Sequence, residues 1–269
     1  MAAPTQPTIT LYRGFAIRGA HVPSPFVNKL EARLRIGGLT YRVETGSPLH
    51  APRGKLPYIE LSSAPAAEGE AEGAGEKLGD SALIAQRLVE DGHMADLNAG
   101  LTPVERARDL AVRALLEDRL YFFQCRERWI DNYYVMRDTV LAQIPYPIRI
   151  FVGLLAYRNQ KNVLHGQGVL RFTDEEAAAQ RREAWESVNA MLVDSRSKAQ
   201  AAGRDGPFWV LGGANPTEAD PVVFGFIAGA LSCKMAPDTE KVVRGMPAVM
   251  EYARRIHDRY FSDYQRWHD

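Results

Sequence analysis

The chain has 269 residues, of which 46% are hydrophobic and 25% charged, a composition typical of soluble globular proteins with one large domain or two smaller ones. Its 33 basic side chains (Lys and Arg) equal its 33 acidic ones, so the totals predict no basic surface and no nucleic acid partner.

The cysteines and the first residues of the chain predict the cellular location of the protein. Cys125 and Cys233 lie far apart, without the spacing of a disulfide framework, and no His, Cys, Asp or Glu group has the spacing of a metal site. Residues 1–14 lack the basic and apolar regions of a secretory signal. We therefore expect a reducing, cytoplasmic location and no bound metal.

The first part of the chain alternates between short strand and helix patterns. Ser24 followed by Pro25 is typical of a helix start, because the hydroxyl caps the first turn and proline suits the first helical position. We predict strands over residues 8–17, 40–45 and 55–62, with the helix from Ser24 to the glycine pair at 37–38 between the first two. Pro57 falls at the start of the third strand, where its missing N–H is tolerated.

A low-complexity segment and a second helix follow. Residues 64–76, APAAEGEAEGAGE, have no apolar periodicity, which predicts a flexible hairpin insertion. A very short strand comes next, and Asp80 or Ser81 then caps a helix with an apolar face. The order βαβ followed by ββα predicts a small α/β unit.

From about residue 100 the patterns are helical. Thr102 and Thr173 each open a capping box, and Thr217 opens a similar start ahead of PVVFGFIAGAL, which we predict to be a central buried helix. The other strongly apolar run, residues 148–157, is interrupted by Arg149 and is far shorter than the ~20 residues that cross a bilayer. We predict a buried helix there and no membrane-spanning segment.

Four stretches together resemble the glutathione transferase superfamily, and in detail its failed-axon-connections and metaxin-like branch. They are SPFVNKLEARLRIGGLTYRVE, PRGKLPYIEL with LGDSALIAQRL, NVLHGQGVLRFTDEE, and PFWVLGGANPTEADPVVFGFI. The resemblance implies a two-domain α+β protein: a thioredoxin-like domain over residues 1–98, which contains the insertion, and an all-helical domain over residues 99–269. The resemblance also implies that the protein could form a homodimer.

The resemblance implies a glutathione site in the first domain. The peptide bond before Pro57 would be cis, and Leu56 would offer its backbone N–H and C=O to the cysteinyl part of glutathione. Asp80 and Ser81 would hold the γ-glutamyl end, and Lys55 would approach a glutathione carboxylate. Glutathione is thus the expected cosubstrate.

Ser24 falls where other classes of the superfamily place a serine or cysteine against the sulfur. A hydroxyl that donates to sulfur favours the thiolate, which is the nucleophilic form. Serine cannot form a mixed disulfide, so conjugation, ether cleavage or isomerisation is favoured over thiol transfer. The alternative is that Ser24 is only a helix cap, with Tyr12 or His21 as the general acid or base.

The helical part also contributes candidates. One face of its first long helix carries an aromatic and polar stripe that would border the same pocket: Tyr121, Gln124, Cys125, Arg128 and Trp129. Asp220 resembles the buried capping aspartate of the superfamily's central helix, a structural element without a chemical role.

Three functions remain open from the sequence. The first is a glutathione-dependent transferase or isomerase acting on a small hydrophobic electrophile. The second is a non-catalytic glutathione transferase-like protein that binds partners. The third is a glutathione-independent isomerase or cyclase on the same fold, which fold analogy alone cannot separate from the first.

Overall fold

The computed structural model describes residues 7–62 and 75–267. Four strands form one mixed sheet in the order β2-β1-β3-β4, in which β2 runs parallel to β1 and the other neighbours are antiparallel. The strands are β1 (Thr8–Tyr12), β2 (Arg42–Glu44), β3 (Tyr58–Ser62) and β4 (Glu76–Gly79). Helix α1 (Pro25–Ile36) lies between β1 and β2, and α2 (Ser81–Glu90) follows β4. The predicted thioredoxin-like order of elements is confirmed.

Two predicted boundaries in this part need correction. The first strand ends at Tyr12 instead of residue 17, because Gly14 takes a positive φ of 78° and the Leu56 side chain occupies the place of its missing Cβ. The insertion predicted over residues 64–76 lies outside the described residues except for its last two, and Glu76 already begins β4.

The rest of the described chain is helical, as predicted. The helices are α3 (Pro103–Ala114), α4 (Tyr121–Arg126), α5 (Tyr133–Val140), α6 (Tyr146–Gly166), α7 (Asp174–Ala201), α8 (Ala219–Leu231), α9 (Pro237–Arg244) and α10 (Pro247–Tyr260). Thr102 and Thr173 both form the predicted capping boxes. The π-helical turns Leu115–Leu120 and Glu127–Asp131 flank α4, so helical structure continues from α3 to residue 131. The predicted domain boundary after residue 98 falls between α2 and α3 and stays a prediction.

Helix α6 contains the apolar run 148–157, but the prediction that this run is buried is wrong. Ile148, Phe151 and Leu155 are 56%, 70% and 66% exposed. Only the opposite side of α6 is covered, where Gly153 lies directly against Arg137. Within the described ranges, no helix has the length and apolarity needed to cross a membrane.

Helix α8 is buried along its whole length and packs backbone to backbone against α1. A Cβ on Gly225 would lie 2.6 Å from the backbone nitrogen of Lys29 and the carbonyl oxygen of Pro25, and one on Gly229 would lie 3.2 Å from the Pro25 backbone. The two glycines therefore let the central helix approach the N-terminus of α1 closely, which ties the helical part to the start of α1.

Asp220 fastens the start of α8. Its Oδ1 accepts hydrogen bonds from Val210 N at 2.7 Å and Tyr252 Oη at 2.9 Å, while Oδ2 accepts from Thr217 N at 2.7 Å and Thr217 Oγ1 at 3.2 Å. The side chain is fully buried, and burial raises its pKa to about 6 despite these donors. This geometry agrees with the structural role that the resemblance implied.

Candidate active site

The topology brings the ends of several strands and the N-termini of two helices to one edge of the sheet. Because β3 is antiparallel to both β1 and β4, the start of β3 lies beside the ends of those two strands. Helices α1 and α2 follow β1 and β4, so both present their N-termini at this edge. Helix N-termini carry unpaired N–H groups and positive dipole ends, which favour anions. The edge is therefore suited to an anionic peptide.

Ser24 is the N-cap of α1. Its Oγ accepts a hydrogen bond from Val27 N at 3.5 Å, a long contact that makes the cap a weak one. The cap uses only an acceptor position of the hydroxyl, so its proton remains available to donate to a ligand. The capping role and the role against sulfur are therefore compatible.

The loop before Ser24 is held from two directions. The buried amide of Asn28 donates to Val22 O at 2.8 Å and accepts from Val22 N at 3.2 Å. From the helical part, Arg128 Nη1 donates to Pro23 O at 3.2 Å. These contacts position Ser24 relative to both parts of the chain.

The Leu56–Pro57 peptide bond is cis, as the resemblance implied. Leu56 precedes the first paired residue of β3, so its backbone takes no part in the described sheet ladder. Asp80 caps α2 through Oδ1, which accepts from Ala82 N at 2.9 Å and Leu83 N at 3.2 Å.

Asp80 has an unusual backbone. Its φ of 79° makes it the one non-glycine residue with positive φ in the described ranges. Strained backbone of this kind is often held in place at functional sites. Asp80 is exposed and Ser81 is buried beside it at the first position of α2.

A cavity of about 180 Å³ brings Ser24 and Leu56 together with the helical part. Four of the five side chains predicted to border such a pocket line it, and Gln124 does not. The sequence did not indicate the other apolar side chains, because they come from separate loops and helices. The lining consists of Phe15, Pro23, Ser24, Pro25, Phe26, Leu56, Tyr121, Cys125, Arg128, Trp129, Met136, Val140 and Met235.

Three larger clefts of about 370, 450 and 630 Å³ in the described structure contain neither Ser24 nor Leu56. One of about 370 Å³ lies where α1 and α2 meet the start of α8. Its Lys29 and Arg33 are already paired with Glu117 and Glu218. The smaller cavity is the candidate active site, because it joins the sheet edge to a helical wall.

Residues 25–134 match the family described as Glutathione S-transferase N-terminal domain. A glutathione transferase from Phanerochaete chrysosporium has a similar structure, with a TM-score of 0.55 at 15% identity over 97% of this chain and 99% of that one. The chain has the glutathione transferase fold.

Two further solved structures are similar to this chain. The beta-etherase LigF from Sphingobium sp. strain SYK-6 has a TM-score of 0.53 at 13% identity, over 94% of this chain and 96% of that one. A family member from Pseudomonas fluorescens pf-5, with two glutathione bound, has a TM-score of 0.52 at 15% identity, over 97% and 92%. These similarities show the fold, and they do not confirm the failed-axon-connections and metaxin-like branch.

Cys125 is the cysteine that lines this pocket in the described structure. It is buried and hydrogen bonded to the Tyr121 hydroxyl. Burial raises the pKa of the Cys125 thiol, although the neighbouring Arg128 acts in the opposite direction. A buried thiol with a raised pKa stays protonated at neutral pH and is a poor nucleophile.

Tyr12 lies at the end of β1 but does not line the pocket. Its hydroxyl donates to Glu60 Oε2 at 2.9 Å, and its ring stacks on Tyr58 with centroids 4.3 Å apart. Burial, together with the Glu60 carboxylate, raises the pKa of Tyr12 to about 12. Lys55, next to Leu56, is exposed and also does not line the pocket.

His21 is also absent from the pocket lining, because the C-terminal segment covers it. The ring is only 4% exposed and lies among Phe224, Phe261, Tyr264 and Trp267. Its Nε2 lies 3.0 Å from His257 Nδ1. The geometry therefore gives His21 a packing role and no access to a substrate beside Ser24.

The pair of His21 and His257 is expected to make the free energy of unfolding depend on pH. Burial lowers the pKa of His21 to about 3 and also lowers that of His257, with Arg13, Arg35 and Asp263 close by. The unfolded pKa is about 6.5, so the unfolded chain binds more protons below that pH. This stability is therefore full above about pH 6.5 and is lost as the pH falls toward about 3.

We expect His21→Gln to flatten the fall in unfolding free energy between about pH 6.5 and 4.5 by up to about 1.4 kcal/mol per pH unit. Urea denaturation at several pH values measures this slope. His165→Gln, at an exposed position on α6, is the matched control and should leave the slope unchanged. Parallel curves for the wild type and His21→Gln would contradict the expectation.

Proposed function

We propose that the protein is a glutathione-dependent transferase that conjugates glutathione to a small hydrophobic electrophile, or isomerises such a compound with glutathione as cosubstrate. One observation carries the proposal: Ser24 at the N-terminus of α1 and Leu56 before the cis proline line the same pocket. The family match supports it, as does the glutathione bound in the Pseudomonas structure of the same fold.

Glutathione would lie along the sheet edge. The unpaired backbone of Leu56 offers an N–H and a C=O to the cysteinyl part, as a strand would. The Ser81 hydroxyl and the N–H groups at the N-terminus of α2 would donate to the γ-glutamyl carboxylate, and Asp80 would pair with the γ-glutamyl ammonium. Lys55 would approach the other carboxylate of the tripeptide.

Ser24 would act on the sulfur. A hydroxyl that donates to sulfur stabilises the thiolate, and the helix N-terminus adds to that effect. The thiolate then attacks the electrophilic carbon: the C–S bond forms, the leaving group departs with its electron pair, and the thiol proton goes to solvent. Ether cleavage belongs to the same proposal, because a thiolate displaces an oxygen leaving group as it does a halide.

A second candidate function is partner binding without catalysis. The observation that favours it is the exposed apolar side of α6, which carries Ile148, Phe151 and Leu155. A calorimetric titration with glutathione separates the candidates. Affinity in the millimolar range or better supports the transferase, while absence of binding favours partner binding or a glutathione-independent isomerase.

The proposal also covers the cellular location, the branch of the superfamily and the oligomeric state. Buried, unpaired Cys125 and Cys233 suit a cytoplasmic location. The four sequence stretches given above favour the failed-axon-connections and metaxin-like branch. A homodimer is the assembly to test by sedimentation.

Ser24→Ala tests the role of the hydroxyl. A hydrogen bond to a charged group contributes about 1.5–3 kcal/mol, so turnover with glutathione and a benzylic chloride should fall about 10- to 100-fold. The weak cap predicts only about 0.5 kcal/mol of lost stability. The pH at which the rate reaches half its maximum should rise, because the thiolate loses its donor.

Ser47→Ala is the matched control, because Ser47 also precedes a proline and caps a short helix through Leu49 N at 3.3 Å. It should lose a similar amount of stability and keep its turnover. Equal turnover of folded Ser24→Ala and wild type would leave Ser24 as a cap only and contradict its role on the sulfur.

A further inference from the structure

Arg128 is a buried cation without a counter-charge in the described chain. It is 6% exposed, and its Nε and Nη2 make no hydrogen bond to any described residue. Only Nη1 is bonded, to the carbonyl oxygen of Pro23. Burying a charge without an opposite charge beside it costs folding free energy. We therefore expect the Arg128 guanidinium to be paired with an anionic group of a bound ligand.

The other buried arginines of the described chain show what is usual here. Each lies within 4.0 Å of a carboxylate. These pairs are Arg13 with Glu31, Arg33 with Glu218, Arg126 with Asp174, Arg137 with Asp138 and Arg181 with Glu127. Arg128 alone among them has no such pair, and it is the one that lines the pocket beside Ser24.

The rest of the pocket is largely apolar. Its walls include Phe15, Phe26, Trp129, Met136, Val140 and Met235. The cavity of about 180 Å³ is close in size to the roughly 150 Å³ cavity that holds benzene in an engineered protein, so one aromatic ring fits it. A ligand matched to this site combines a small apolar body with one negative charge.

We propose that the second substrate carries a carboxylate, or a comparable anionic oxygen group, on a small apolar body, and that Arg128 binds this group. The inference rests on the proposed function for the reaction itself and names the substrate class of the same pocket. The planar guanidinium suits a carboxylate, because two parallel N–H groups can donate to its two oxygens. Arg128 thus determines specificity, while the Pro23 contact keeps it next to Ser24.

The test compares 4-(chloromethyl)benzoate with its methyl ester as electrophiles for glutathione. In both, the sulfur forms a bond to the benzylic carbon and chloride leaves with its electron pair, so only the remote charge differs. Arg128→Met should lower the ratio of kcat/KM for the acid to that for the ester by about 10- to 100-fold. The ester rate should change little, and Arg158→Met, at an exposed arginine of α6, should leave the ratio unchanged.

Calorimetry without glutathione tests Arg128 independently of turnover. Wild type should bind 4-methylbenzoate more tightly than 4-methylbenzamide, and Arg128→Met should lose the preference. If neither electrophile reacts but the preference is seen, the proposed function fails and the anion site stands. If Arg128→Met does not fold, Arg128→Lys should keep part of the preference, because the charge remains but the planar fork is lost.

Two results would overturn the inference. The first is equal binding of the acid and the amide by wild type. The second is an acid-to-ester ratio that is unchanged in Arg128→Met; if that variant also loses glutathione affinity, Arg128 belongs to the glutathione site instead.

Discussion

Gly225→Ala is expected to lower the free energy of unfolding by about 3 kcal/mol or more. The added Cβ would lie 2.6 Å from the Lys29 backbone nitrogen and from the Pro25 carbonyl oxygen. Both are backbone atoms of α1, so no side chain can rotate away and the two helices must separate. Alanine's higher helix propensity, about 1 kcal/mol, does not offset this cost.

Urea denaturation of folded variants measures the effect. Gly229→Ala should cost less, because its Cβ would lie 3.2 Å from the Pro25 backbone. Gly166→Ala, at the end of α6 with nothing within 4 Å, is the matched control and should gain up to about 1 kcal/mol. A Gly225→Ala variant as stable as wild type would show that α1 and α8 do not pack this closely.

Asp220→Ala is expected to cost about 4 kcal/mol, because it leaves the N–H groups of Val210 and Thr217 and the Tyr252 hydroxyl buried without their acceptor. Each unsatisfied buried donor costs roughly 1–3 kcal/mol. The start of α8 and the segment at Val210 would both lose their attachment. Denaturant unfolding at neutral pH is the measurement.

Two control variants are compared with Asp220→Ala for their loss of unfolding free energy. Tyr252→Phe removes a single donor and should cost about 1 kcal/mol. Asp194→Ala removes an exposed carboxylate of α7 that pairs only with Lys198 in the described structure, and should change stability by less than about 0.5 kcal/mol. If Asp220→Ala and Asp194→Ala were equally stable, the Asp220 network would not hold the central helix.

Local signals account for much of the agreement between the sequence and the structure. The caps at Ser24, Thr102 and Thr173 form within one helical turn, so a few neighbouring residues suffice to predict them. The stripe from Tyr121 to Trp129 was also predictable, since side chains three and four residues apart share a helix face. Gln124 of that set is buried but does not line the cavity, which helical spacing alone did not predict.

Other features depend on contacts between distant parts of the chain. His21 has the sequence of an exposed loop histidine, yet Phe261, Tyr264 and Trp267 enclose it from the far end of the chain. The apolar run in α6 has the composition of a core helix, but only one side of α6 is covered. Hydrophobicity predicts a preference for burial and does not say whether a partner surface exists.

By itself, the sequence determined the order of strands and helices and the helix caps, because short-range spacing and turn chemistry control these features. The expectation that Ser24, Leu56 and Asp80 share one edge of the sheet came from the resemblance to the glutathione transferase superfamily. Only the tertiary structure decided that Ser24 shares a pocket with Arg128, and that Arg128 lacks the carboxylate that the other buried arginines of the described chain have. Pairing of buried charges depends on which distant residues fold within about 4 Å of each other, and no local pattern carries that information.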